Sequence, residues 1–188
     1  HLGNYMIYYL GFTPDFMGYI EGLALILGMF TVIPTTRLIN KGVYTSTVAV
    51  AVVFNIAGLL ILGLFVRPDT VNTATIFNPV MVIGILFIGI GYVTFLQTVS
   101  VWAKGLYPQE AKGQFEGIRI LFFVLIPMII APLVSNPIIK ASGEITNDYG
   151  LKEYLPNETL FLVAAGVSLI IYVPLFFAAK YRKKINKE

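Results

Sequence analysis

Cysteine is absent from this 188-residue chain, and histidine occurs only as His1. The first absence excludes disulfides, thiol chemistry and cysteine-based metal sites, and the second excludes His-based metal centres and Ser–His catalysis. Charge is scarce as well. Asp, Glu, Lys and Arg make up 12% of the residues, against about 25% in a water-soluble domain. Hydrophobic residues reach 57% and the mean hydropathy is +0.80. These values exclude an ordinary soluble domain, a disordered tail and a collagen-like chain. The pI of 9.1 reflects a net charge of only +3, too small an excess for a nucleic-acid binder. There is no low-complexity segment, internal repeat, Gly-rich phosphate loop or acidic cluster within an apolar run, so nothing marks an enzyme.

What the chain does have is long apolar runs. A bilayer core of about 30 Å needs about 20 helical residues to cross it. Five runs meet that length, at about 16–36, 44–66, 79–101, 120–139 and 159–179, and Glu21 is the only charge inside them. They are apolar all round, which excludes the alternating pattern of a membrane barrel and makes buried helices of a large soluble protein a poor alternative. Residues 1–12 form a sixth apolar stretch, too short to span, read as the tail of a helix. With no initial Met and no leader, residues 1–188 are expected to be a piece of a longer chain. The expected fold is an all-α polytopic membrane helix bundle in contact with the lipid bilayer.

Lys and Arg set the orientation. Arg37, Lys41, Lys104, Lys112, Arg119, Lys180, Arg182, Lys183, Lys184 and Lys187 fall on one set of alternating connections, and Arg67, Lys140 and Lys152 on the other, a split of 10 to 3. Positive residues near span ends stay cytoplasmic, so the C-terminus is expected inside a plasma or inner membrane.

Several polar residues inside or beside the spans are candidates for chemistry. A carboxylate at the depth of Glu21 is costly unless it meets a cavity, a partner, a proton or water at the rim. Gly18 and Gly22 beside it make a small-xxx-small pair that permits close helix contact. In the third span Thr94, Gln97 and Thr98 share a face, able to bind a hydroxylated solute or a neighbouring helix. Asn55 reads as a helix–helix hydrogen bond. Tyr5, Tyr8 and Tyr9 share a face that suits a sugar ring or an interfacial belt. Trp102 reads as interfacial. Pro127 and Pro132 each remove a backbone donor and are expected to kink the fourth span.

Two connections resemble a known family. Pro34-Thr35-Thr36-Arg37-Leu38-Ile39-Asn40-Lys41-Gly42 is similar to the loop joining the second and third helices of a major facilitator half. Ala103-Lys104-Gly105-Leu106-Tyr107-Pro108-Gln109-Glu110-Ala111-Lys112-Gly113 is similar to the loop between the fourth and fifth helices of the C-terminal half. Within the superfamily, residues 4–11 and Gly91-Tyr92-Val93-Thr94-Phe95-Leu96-Gln97 loosely resemble the sugar-cation symporter branch that includes melibiose permease.

The resemblance implies the end of helix seven followed by helices eight to twelve, with seven, eight, ten and eleven lining a central cavity. It implies Tyr5, Tyr8, Tyr9, Glu21, Tyr92, Thr94 and Gln97 as cavity residues. Arg37, Lys41, Glu110 and Lys112 become a cytoplasmic gating set. The function so implied is secondary active transport of a small solute, a sugar or related organic compound, by alternating access, ion-coupled or facilitative. It calls for no cofactor beyond a coupling ion, a proton or sodium, and for the N-terminal half of the same chain as partner. A non-transporting receptor or assembly subunit built on the same helices is the alternative. That alternative expects dry helix faces and a paired Glu21.

Overall fold

The computed structural model describes residues 2–73, 78–146, 150 and 152–185, and Lys187 of the basic tail lies outside them. The chain enters through a single helical turn, α1 (Leu2–Asn4), that widens into a π-helical turn over Tyr5–Tyr9 and stops at Gly11, whose φ of 81° only glycine adopts freely. Then follow α2 (Pro14–Met29), α3 (Val32–Asn40), α4 (Tyr44–Phe65), α5 (Pro79–Gly105), α6 (Lys112–Ile120), α7 (Ile126–Ala141), α8 (Glu158–Ser168) and α9 (Tyr172–Ile185). Five continuous helical stretches are long and apolar enough to cross a membrane: Pro14–Asn40, Tyr44–Phe65, Pro79–Gly105, Lys112–Ala141 and Glu158–Lys180. The architecture is an all-α bundle of spanning helices, as the uncharged runs require: backbone groups in lipid must be satisfied within the segment.

Local chemistry sets the ends. Pro14 and Pro79 occupy first helical positions, where a missing N–H costs nothing. Asn157 caps α8 by accepting from the Thr159 amide at 3.1 Å, which gives that asparagine a structural task. Gly42, at φ 72°, closes α3 and sends the chain back into α4. The fourth spanning helix starts at Lys112, well before the expected 120, because Arg119 pairs with Glu116 one turn earlier at 2.8 Å and keeps the polar turns helical.

Prolines shape the interiors. A π turn, Leu121–Leu125, ends where the helix resumes at Ile126, just before Pro127, where a kink was expected; at Pro132, the other expected kink, α7 continues unbroken, as it does through Pro137. Two breaks were not expected. Pro34 leaves the Phe30 carbonyl without its helical donor, and the first span is interrupted at Phe30–Thr31, where the Thr31 hydroxyl donates to the Gly28 carbonyl at 2.6 Å. Pro174 does the same to Ile170, and a 3-10 turn, Leu169–Ile171, separates α8 from α9.

The connection 140–158 carries an antiparallel hairpin of β1 (Glu144–Thr146) and β2 (Lys152–Tyr154). A Lys152–Glu144 ion pair of 3.0 Å crosses its end. It lies between spans and leaves the helical architecture intact.

Contacts fix the threading. α4 runs antiparallel to α5, with Gly91 against Ala51 and Asn55 and Gly84 against Leu62. α8–α9 is antiparallel to α4, with Leu162 on Gly63 and the Tyr172 hydroxyl on the Ala49 carbonyl at 2.9 Å. α2–α3 is parallel to α5, since Ala24 meets Gly89 and Thr36 meets Gln97. The Asn40–Tyr44 turn, the Gly105–Lys112 turn and α9 therefore share one end of the bundle, and Tyr5, Val66 and Glu158 share the other. The best-packed cluster sits at that second end, where Tyr5, Met6, Leu62, Val66, Met81 and Phe161 are all buried.

Glycines carry the α4–α5 seam. A Cβ on Gly91 would stand 2.6 Å from the Ala51 carbonyl oxygen, and one on Gly58 2.5 Å from that of Gly84. Gly18 and Gly22, expected to make a close contact, have nothing within 4 Å of their Cβ positions. Gly91→Ala is therefore expected to lower the Tm of the purified protein, since forcing extra atoms into a packed interface costs about 1–3 kcal/mol. Gly18→Ala should leave it unchanged; equal Tm values for the two would show that the seam yields freely.

Candidate functional site

The aromatic end is tightly committed. Tyr5 is 1% exposed; its hydroxyl donates to the Val66 carbonyl at 2.7 Å, and its ring meets Phe161 edge-on at 4.8 Å. Tyr9 stacks on Tyr5 at 5.1 Å and donates to Glu158 Oε2 at 2.5 Å. Tyr8 is 47% exposed. The three were expected on one α-helical face. The π turn, seen in the Leu10 amide bonding the Tyr5 carbonyl at 3.0 Å, instead aligns positions four apart and splits Tyr8 from the other two. Tyr5 and Tyr9 are thus drawn into packing and an interhelical hydrogen bond instead of facing a cavity. Glu158 was overlooked as the acceptor of Tyr9; its place in the first turn of α8, next to a capping asparagine, was the available signal.

The polar face of α5 also finds partners. Gln97 Nε2 donates to Thr36 Oγ1 at 2.8 Å, and the Thr35 hydroxyl approaches Thr94 Oγ1 at 3.4 Å. Thr98 is fully buried and returns its proton to the Thr94 carbonyl at 2.7 Å. Of the two roles open to this face, the structure shows the helix–helix one. Gln97 Oε1 is left buried with no hydrogen-bond partner. Beside these contacts the break in the first span opens a cleft of about 440 Å³, lined by Thr31, Thr35, Thr47 and Thr94 among apolar residues.

Near the middle of the bundle a smaller cavity, about 190 Å³, is lined by Asn55, Tyr92 and Ser168 with Ala51, Val52 and Phe95. Asn55, expected to bond a neighbouring helix, makes no side-chain hydrogen bond among the described residues and lines the cavity, while Gly91 abuts its backbone. Tyr92 is 53% exposed. A third concavity, about 550 Å³ and almost wholly apolar, runs between α7 and α8 over Leu59 of α4.

Glu21 lies about two turns into α2 on a half-buried position, with no hydrogen bond or ion pair among the described residues. The four loop residues Arg37, Lys41, Glu110 and Lys112 share the basic end of the bundle, all exposed, with no ion pair between them among the described residues. Trp102 stacks on Tyr44 at 5.7 Å at that same end. No group of three or more His, Asp or Glu that could hold a metal occurs among the described residues.

A bundle of at least five spanning helices, with polar groups gathered at mid-depth and basic turns at one end, defines a polytopic membrane protein. The sequence model of the Major Facilitator Superfamily matches residues 2–188, and the chain belongs to that family, whose members carry solutes across membranes. No curated protein and no solved structure matches it.

The Tyr9–Glu158 bond ties the first helical turn to α8 across the chain. A hydrogen bond to a charged group contributes about 1.5–3 kcal/mol when shielded, and less at this half-exposed site. Tyr9→Phe should lower the Tm, and Glu158→Gln, which keeps an acceptor oxygen, should lower it less. Equal losses would mean that the bond matters little beside the ring packing.

Proposed function

We propose that this chain is the C-terminal half of a secondary transporter that moves a small, neutral, hydroxylated solute by alternating access, coupled to a proton or sodium. The observation that carries the reading is Glu21: a carboxylate inside the first span, on an open side of α2, without a partner among the described residues. An ion there can be exchanged for another at the expense of one desolvated charge, which is the property a coupling site needs. A receptor or assembly subunit would be served by a paired Glu21, and no such pair supports that reading.

The solute wall on this side is formed by Tyr92 and Asn55, whose polar groups are unspent and carry no charge. Tyr5, Tyr9, Thr94 and Gln97 hold the helices that present them. The sugar class remains the favoured one because amide, phenol and ring faces together suit hydroxyl-rich rings. The N-terminal half of the same protein supplies the facing wall, and the two halves rock about the midplane. The basic end, with Arg37, Lys41 and Lys112 beside Glu110, is assigned to the cytoplasm by the excess of positive charge there.

In the full-length transporter Glu21→Gln should abolish ion-driven accumulation while sparing solute exchange. Uptake whose pH and sodium dependence is unchanged by that substitution would remove Glu21 from the mechanism. Asn55→Val should raise the half-saturation concentration for solute several-fold, and Gln97→Ala should act mainly on stability. The reverse pattern would return Gln97 to the solute wall.

A further inference from the structure

We propose that the turn between α5 and α6 is a binding site for a phosphate group, supplied by the headgroup of an anionic lipid. A cavity of about 380 Å³ opens at the basic end of the bundle, lined by Lys104, Tyr107, Lys112, Gly113 and Glu116. Its charges are not balanced internally. Glu116, the one carboxylate in the lining, is engaged by the Arg119 guanidinium at 2.8 Å, whereas Lys104 and Lys112 are exposed and form no ion pair among the described residues. Two ammonium groups facing one concavity, with the neighbouring acid neutralised, select an anion.

The depth of the cavity selects the source. Trp102 and Tyr44 stack at the ends of α5 and α4, and such aromatic pairs settle at the headgroup level of a bilayer. Lys104 follows Trp102 by two residues on the same helix, roughly 3 Å further along the axis. That step brings its ammonium to the layer of lipid phosphates. The turn is also held in shape: Tyr107 stacks on Phe115 at 5.4 Å, fixing the chain on both sides of the cavity. Gly113 has nothing within 4 Å of its Cβ position, so the floor of the cavity is open backbone.

The test uses the intact protein in phosphatidylcholine bilayers, with spin-labelled phosphatidylglycerol as probe and spin-labelled phosphatidylcholine as reference. The Lys104→Gln/Lys112→Gln double variant should lose the preference for the anionic probe by roughly thirtyfold, from the attraction of two basic residues near the surface. Gly113→Leu keeps both charges and fills the cavity, and should lose a comparable share. Arg37→Gln/Lys41→Gln, which removes the same charge from the same end, should lose much less. Preference that survives the first two variants, or falls equally in all three, overturns the proposal. Added inorganic phosphate, compared with chloride at equal ionic strength, separates the sources. Displacement of the probe by phosphate assigns the site to free phosphate and overturns the lipid assignment, and retention of the probe supports it.

Discussion

The rest of the bundle depends on the close approach of α4 and α5. Lipid tails are as apolar as the helix surfaces, so helices in a membrane gain nothing by hiding leucine from water; they associate through contact density and a few hydrogen bonds. Gly58, Gly84 and Gly91 remove the side chains that would hold the two axes apart, and the backbone of each helix lies against the other. α5 then presents Gly89 to Ala24 of α2, and α4 presents Gly63 to Leu162 of α8. Glycines of these two helices thus receive two of the others, α2 and α8. Tyr5 and Met6 lock onto the end of that assembly, where Leu62, Val66 and Met81 come together.

Against this dense seam, prolines interrupt the helices at the places where they have least to pack on. Pro34 breaks the first span where a 440 Å³ cleft lies beside it, and Pro127 follows a π turn whose residues are all exposed. Beside the Pro34 break the Thr31 hydroxyl donates to the Gly28 carbonyl, and a widened turn precedes Pro127. The fold therefore combines a rigid centre with segmented edges. That division follows from where glycine and proline stand.

The spans were legible because hydropathy and bilayer thickness leave one solution for a run of twenty uncharged residues. The distribution of basic residues was legible too, and the geometry puts the turns bearing Lys41 and Lys104 at the same end as α9. Which glycines make contact was not legible. Gly18 and Gly22 have the spacing of a contact pair and touch nothing, while Gly84 and Gly91, seven apart on one face of α5, meet α4. Spacing identifies a smooth surface and cannot say what is laid on it. The tyrosine face failed for a different reason. A single extra residue in the turn at Tyr5–Tyr9 changes the helical period, and no local propensity in Tyr-Met-Ile-Tyr-Tyr signals that change. Pro34 and Pro174 did carry a signal, the missing backbone donor that was noted at Pro127 and Pro132.

Polar groups at membrane depth can be sorted by how they spend their hydrogen-bonding capacity. Thr36, Thr98 and Ser168 return their protons to the carbonyls of Val32, Thr94 and Ala164 in their own helices, which satisfies the donor and asks nothing of a neighbour. Gln97 and Tyr9 spend theirs between helices and so hold the bundle together. Glu21, Asn55 and Tyr92 do neither among the described residues. Polar groups that the fold leaves unspent in an otherwise apolar helix are available to a partner outside it, whereas Gln97 Oε1, buried without a partner, carries a desolvation cost. This residual set differs from the one that residue type alone suggests, since phenols and amides occur in both groups. What separates them is position: Asn55 and Tyr92 line the mid-bundle cavity, whereas Gln97 meets Thr36 of the neighbouring helix.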